Sequence, residues 1–144
     1  METTARIFLT LSVLGYALLT MKADFNRTHA TNPSWTAHAR FHVVWQILSY
    51  TGVGLVALYL IWIDGVQSVE RLYLAAALSV AIYGGFFAAV FARPLFGGAL
   101  YDENGYRPFR APIGPQHWRW DANVTAVTIL STMTLTGILA VLAS

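Results

Sequence analysis

Two histidines spaced four residues apart form the clearest chemical pattern in this 144-residue sequence. His38 and His42 belong to the stretch DFNRTHATNPSWTAHARFHVVWQ, residues 24–46. On a helix this spacing turns both imidazoles to the same side, where they can share one metal ion. The pair lacks the intervening Glu of the HExxH helix of zinc peptidases, so acid/base chemistry stays open as well.

Other polar residues of the chain would complete such a site. A carboxylate beside a histidine in a low-dielectric pocket can move the pKa of the imidazole toward the working pH. We therefore predict catalytic roles for His38, His42, Asp24 and Asp121. The predicted metal ligands are His38, His42 and Asp24, for a divalent ion such as zinc or iron. The predicted ligand-binding residues are Asn26, His29, Trp35, Arg40, Trp45, Gln46, Ser49, His117 and Trp118.

A structural role for the same stretch is the alternative. Histidine and tryptophan at a membrane interface can anchor a helix and supply hydrogen bonds to a buried loop. Asp24 and Asn26 can brace that loop through an Asx turn. The stretch NPSW predicts a helix start, with Asn32 as the N-cap and Pro33 at the first helical position.

Composition predicts the elements that position these residues. The chain is 56% hydrophobic and only 11% charged, whereas soluble domains carry about 25% charged residues. Four apolar runs, near residues 5–22, 38–63, 71–92 and 121–143, approach the roughly 20 residues that a helix needs to cross a bilayer. We predict one all-α domain over residues 1–144, a four-helix transmembrane bundle in a lipid bilayer. The first run lacks a small-residue cleavage site and is expected to be a retained helix.

Charge predicts the orientation of the bundle. Seven Lys and Arg lie on the side of loop 1 (about 22–36) and loop 3 (about 93–120), against two on the other side. The positive-inside rule then predicts cytoplasmic loops 1 and 3 and external termini, in a membrane such as the bacterial inner membrane. All four histidines would share one membrane face. Loop 3 is rich in Gly, Pro and aromatic residues, so we expect an ordered cap with a short hairpin turning at Asn104–Gly105.

Polar and small residues predict which helix faces are buried. The stripe His38, His42, Gln46 and Ser49 spans about 80° and should face the bundle interior, because lipid offers no hydrogen bonds. A second polar stripe lies on the last helix and consists of Asp121, Thr125, Thr128, Thr132 and Thr136. We expect the hydroxyls of the threonines that follow Thr125 to donate to carbonyls of their own helix. The expected close-packing glycines are Gly52, Gly54, Gly84 and Gly85.

The stretch at residues 24–42 resembles the hallmark of an uncharacterised family of small four-helix membrane proteins. The loop of that family reads approximately D-x-N-x-T-H-x-x-N-P-x-W-x-x-H-A-R-F-H. The resemblance implies the four-helix fold over the whole chain and supplies no activity. A looser likeness is to the membrane family of the sterol isomerase and the sigma-2 receptor, from which this chain departs by placing histidines where acidic residues are expected. The signature positions are Asp24, Asn26, Thr28, His29, Asn32, Pro33, Trp35, His38, Arg40, Phe41 and His42.

Several function classes are excluded and three remain. The chain has no cysteine, which excludes disulfides, thiol catalysis and Cys-ligated metals. A scattered net charge of +2 gives no basis for nucleic-acid binding. The leading hypothesis is a membrane enzyme acting on a lipophilic small molecule by acid/base or metal-assisted chemistry. The alternatives are a non-catalytic binder of a lipid, sterol or quinone, and an accessory subunit of a homo-oligomer or larger membrane complex.

Overall fold

Four long helices make up most of the protein. The computed structural model describes residues 2–63, 65, 68–103 and 105–143. The helices are α1 (Glu2–Asp24), α2 (Ala37–Trp62), α3 (Ser68–Ala92) and α4 (Ala122–Leu142), and each is long and apolar enough to cross a membrane. Their ends lie within three residues of the predicted spans. The prediction of an all-helical fold with four such helices is confirmed.

Helix α1 lies at the centre of the bundle and packs against each of the other three helices. Its core-facing residues recur every three or four positions, as an amphipathic helix requires. They are Ala5, Leu9, Val13, Tyr16 and Ala17. The helix contains one π-helical segment, Gly15–Leu19, flanked by ordinary α-helix on both sides.

Glycines bring two of the other helices close to α1. A Cβ atom added to Gly137 of α4 would lie 2.8 Å from Leu9 Cγ, and one added to Gly54 of α2 would lie 2.6 Å from Ala17 Cβ. The expected close-packing role is confirmed for Gly54. It is wrong for Gly52, Gly84 and Gly85, because a Cβ at those positions would meet no other atom within 4 Å.

A buried polar link joins α1, α3 and α4. The hydroxyls of Ser12 and Thr134 are 2.6 Å apart, and Tyr83 Oη donates to the Ser12 carbonyl at 2.6 Å. The rings of Tyr83 and Tyr16 meet edge to face at 5.8 Å. Since an unpaired polar group is costly in an apolar interior, this link fixes the register of the three helices.

The expected threonine stripe of α4 largely bonds within its own helix. Thr125, Thr128, Thr132 and Thr136 each donate to the carbonyl four residues earlier, at 2.6–2.9 Å. The expected hydrogen bonds from Thr128, Thr132 and Thr136 to carbonyls of their own helix are therefore confirmed. Thr134, which lies outside that stripe, is the threonine that crosses to α1.

Loop 3 carries a short 3₁₀ turn, Arg93–Phe96, and a two-stranded ribbon. Strands β1 (Phe109–Arg110) and β2 (Arg119–Trp120) pair antiparallel. The expected hairpin at Asn104–Gly105 is wrong in position, because the paired strands are joined by residues 111–118. Asn104 lies outside the described residues, while Gly105 N donates to Asp102 O at 3.1 Å in a local turn. Gly114 has a positive φ of 101°, and its lack of a side chain lets the Trp118 ring approach, since an added Cβ would lie 2.6 Å from Trp118 Cε3.

Candidate functional site

Loop 1 is closed by the side chain of Asn26. Its Oδ1 accepts from the backbone N of Thr28 at 2.8 Å and from the Thr28 hydroxyl at 2.7 Å. Its Nδ2 donates to the carbonyls of Ala23 and Lys22, at 2.8 and 3.2 Å. This Asx turn carries the chain out of α1 and fills the hydrogen-bonding positions of the amide. Asn26 thus braces the loop through these hydrogen bonds, which is the role that the structural alternative gave it.

Asn32 is the buried centre of the second half of loop 1, with 1% of its surface exposed. Its Nδ2 donates to Thr28 O at 2.9 Å, and its Oδ1 accepts from Ser34 N at 2.9 Å. Arg40 Nη1 donates to the Asn32 carbonyl at 3.3 Å and ties α2 to the loop.

Helix α2 therefore begins later than the sequence indicated. Because the Asn32 amide is used inside the loop, the predicted cap at Asn32 and the predicted helix start at Pro33 are wrong. Thr36 is the N-cap, its hydroxyl accepting from Ala39 N at 3.2 Å, and the first helical residue is Ala37. The 33–36 segment stays outside the helix.

His29 lies where loop 1 meets loop 3. Its Nδ1 is 2.7 Å from the Thr28 hydroxyl and 3.6 Å from Asp24 Oδ1. Its ring meets Trp35 edge to face at 5.2 Å, and Gly105 of loop 3 is so close that an added Cβ would lie 3.8 Å from His29 Cε1. Asp24 and His29 thus form a local pair within the loop junction, and two of the predicted site residues are brought together here.

The second pair, His38 and His42, lies on the first turns of α2. Their Nε2 atoms are 3.0 Å apart, and the ring planes are nearly perpendicular at 86°. Phe41 and Trp45 flank the pair, each with its ring centroid 5.8 Å from that of His42. The shared direction of the two imidazoles is as predicted from their spacing.

The expected inward direction of this stripe is wrong. His38, His42, Gln46 and Ser49 are all exposed on the outside of the bundle. The side of α2 that contacts the core instead carries Ile47, Gly54, Ala57 and Ile61. Of these residues, Gly54 fits closely against Ala17 of α1. The polar stripe instead begins at the helix end, where its side chains are exposed.

An open apolar groove of about 310 Å³ adjoins the histidine pair. Two aromatic and two aliphatic side chains line it, and Phe41 is 61% and Trp45 58% exposed. We call the combined surface the α2 outer face. Its residues are His38, Phe41, His42, Val44, Trp45 and Leu48.

The remaining predicted site residues lie elsewhere. Asp121 is the N-cap of α4, with Oδ1 accepting from Val124 N at 2.9 Å. His117 and Trp118 are exposed in loop 3, and the Trp118 ring lies over Gly114. Within residues 2–63, 65, 68–103 and 105–143, no three His, Asp or Glu are placed to hold one metal ion. The predicted set of His38, His42 and Asp24 is therefore not assembled, since Asp24 pairs with His29.

A second groove, which sequence reasoning missed, runs between α3 and α4 with a volume of about 240 Å³. Tyr83 and Thr134 of the buried polar link lie at its base, and Gly84 leaves it open. Polar groups within the long apolar run of α3, Ser79 and Tyr83, were the available signal for this region. The other lining residues are Val80, Phe87, Ser131, Leu135 and Ile138.

Comparison with protein-family models, with curated proteins and with solved structures gave no match to this chain.

Proposed function

We propose that this chain is a multi-pass membrane protein that binds a lipophilic small molecule on the α2 outer face. The single observation that carries the binding is the juxtaposition of the His38/His42 pair with the open groove of Phe41, Val44, Trp45 and Leu48. A polar pair at one end of an apolar groove matches a molecule with an oxygen-bearing head and a hydrocarbon body.

The outward surface of the helices supports insertion into a bilayer. Large apolar side chains such as Leu18, Leu55, Phe91 and Leu135 are more than half exposed. In water such an extended apolar surface would drive aggregation, whereas lipid tails solvate it. The charge imbalance of seven to two supports an orientation with loops 1 and 3 in the cytoplasm. The histidine pair then lies near the cytoplasmic interface.

The chemistry of the pair defines the ligand class. A neutral imidazole offers one N–H donor and one lone pair, so two of them can recognise a carbonyl or a hydroxyl oxygen. The rings of Phe41 and Trp45 provide flat apolar contact for a ring or chain. A quinone carries both features and reaches the groove laterally from the bilayer. We therefore propose a quinone-like ligand.

Binding is better supported than turnover. Acid/base chemistry at His38 and His42 would be assisted by a carboxylate beside these two histidines. The two candidates have other roles, since Asp24 pairs with His29 and Asp121 caps α4. The groove itself is open and shallow, and enzymes commonly enclose the reacting groups and exclude water.

Quenching of tryptophan fluorescence tests the proposal. The protein is reconstituted in lipid nanodiscs with a metal chelator and titrated with a decyl-substituted benzoquinone, which quenches indole on contact. We expect saturable quenching that is absent in Trp45→Phe. Val44→Phe fills the groove and should weaken binding at least about tenfold, as losing one well-packed contact region does.

The matched control is Val56→Phe, at an exposed position of the same helix outside the groove. It should bind like the unaltered protein. Quenching that rises linearly with quinone, and equally in Val44→Phe and Val56→Phe, would show simple partitioning into lipid and refute the proposed site.

A further inference from the structure

We infer that His38 and His42 form a two-imidazole chelate for a divalent transition-metal ion on the α2 outer face. The inference rests on the geometry of the pair and does not require that the adjacent groove bind a quinone. It differs from the metal set expected from the sequence, because Asp24 is engaged with His29 and takes no part.

The separation of the two nitrogens matches a chelate. An ion bound to imidazole lies about 2.0–2.1 Å from the nitrogen. With Nε2 atoms 3.0 Å apart, an ion at those distances from both would subtend an N–metal–N angle of about 91–97°. That is close to the 90° between neighbouring ligands in octahedral and square-planar complexes and below the tetrahedral angle. Imidazole ligands suit copper, nickel and zinc alike, and the general affinity order places Cu²⁺ highest, so Cu²⁺ is the ion chosen to probe the pair.

The pair is arranged before any ion arrives. Both imidazoles are exposed, and their Nε2 atoms contact each other at 3.0 Å, a hydrogen bond in which one of the two nitrogens carries the proton. Bringing two side chains together normally costs conformational entropy, which lowers the affinity of a site assembled on binding. Here the two nitrogens already lie side by side, and an ion binds both once the proton between them has moved to Nδ1 or been released.

The surroundings leave room for the ion and its other ligands. Arg40, the cation on the same two turns, donates to the Asn32 carbonyl in loop 1. Two imidazoles fill two of the four to six positions of such an ion, and the exposed setting leaves the rest to water or to an oxygen ligand. Trp45, with its ring 5.8 Å from that of His42, is near enough for a bound Cu²⁺ to quench its fluorescence.

Copper titration of the protein in nanodiscs tests the site, using protein purified without a histidine tag. We expect one Cu²⁺ per chain, quenching that depends on Trp45, and an electron paramagnetic resonance spectrum with splitting from two nitrogens. His38→Ala and His42→Ala should each weaken binding at least about tenfold, because the second imidazole then no longer acts as a tethered ligand.

The register control keeps the number of histidines constant. The double variant A37H/H38A places the two imidazoles five residues apart, about 140° around the helix, and should lose binding as fully as His38→Ala. His117→Ala removes an exposed histidine of loop 3 and should bind copper normally. Circular dichroism confirms that each variant keeps its helices.

Binding by A37H/H38A that equals the unaltered protein, or loss of binding in His117→Ala, would overturn the inference. The copper titrations contain no quinone and the quinone titrations contain chelator. Failure of the metal site is therefore distinguishable from failure of the proposed quinone site.

Discussion

Replacing Gly54 by alanine tests how closely α2 packs on α1. The new Cβ would lie 2.6 Å from the Cβ of Ala17 and 3.5 Å from Tyr16 Cε2. Carbon atoms in contact prefer about 3.5–4.0 Å, so the first distance falls short by roughly 1 Å. An alanine methyl has no torsion that could move it aside. The two helix backbones must separate, which loosens the neighbouring contacts as well.

The size of the effect follows from two opposing terms. Overpacking of a close contact costs about 1–3 kcal/mol. Alanine is better than glycine inside a helix by about 0.8–1 kcal/mol. Gly52→Ala, two residues away on the same helix, provides the second term alone, because its Cβ meets nothing within 4 Å. We expect Gly54→Ala to be less stable than Gly52→Ala by about 1–3 kcal/mol.

Reversible unfolding in mixed micelles with increasing SDS measures this difference. Helix content and tryptophan fluorescence are followed together, and the free energies of unfolding of the two variants are compared. Gly52→Ala should be at least as stable as the unaltered protein. Equal stability of the two variants would show that α1 and α2 are not in close contact at Gly54 and would refute the packing of the bundle described above.

Two further predictions concern buried polar groups. Asn32→Ala removes an amide that makes two hydrogen bonds inside loop 1. We expect the free energy of unfolding to fall by about 1–3 kcal/mol and amide hydrogen exchange in residues 28–36 to become faster. Unchanged exchange there would contradict the bracing role. Tyr83→Phe removes the donor to the Ser12 carbonyl. In the SDS unfolding assay we expect its free energy of unfolding to be lower by about 0.6–1.7 kcal/mol. The control Tyr73→Phe, at an exposed position of the same helix, should leave that free energy unchanged.

The four helices were predictable because the signal is local. Each apolar run is long enough to be recognised without knowing its neighbours, and the back-bonding of Thr128 and Thr132 needs only their own helix. The shared side of His38 and His42 is likewise a property of helical spacing alone.

The orientation of the helix faces was not predictable from the same information. Spacing gives the angle between two residues on a helix but not which side meets the bundle. That choice depends on the fit of residues such as Gly54 against Ala17 of α1, which is a property of two helices together. The sequence also cannot distinguish Gly52 from Gly54, since both are glycines in one apolar run and only the second has a neighbour at 2.6 Å.

The arrangement of the candidate site residues was not predictable from the sequence. The polar stretch suggested one convergent pocket, but Asn26, Asn32 and Thr28 satisfy one another within the loop. A cap signal at Asn32 was present in the sequence, yet Thr36 offered a second one four residues later. Thr36 caps the helix because the Asn32 amide is already hydrogen-bonded within loop 1. Those hydrogen bonds depend on the geometry of the loop.

The central position of α1 has a consequence for how the chain is made. Helix α1 is synthesised before α4 and depends on it, because the Ser12 hydroxyl finds its partner in Thr134, 122 residues later. At about 5–20 residues per second, translation separates these two residues by roughly 6–24 seconds. During that interval the Leu9 surface that faces Gly137 is also uncovered. The native bundle can therefore be completed only after α4 has been synthesised. If synthesis stops before α4, the side of α1 that contacts α4 stays exposed.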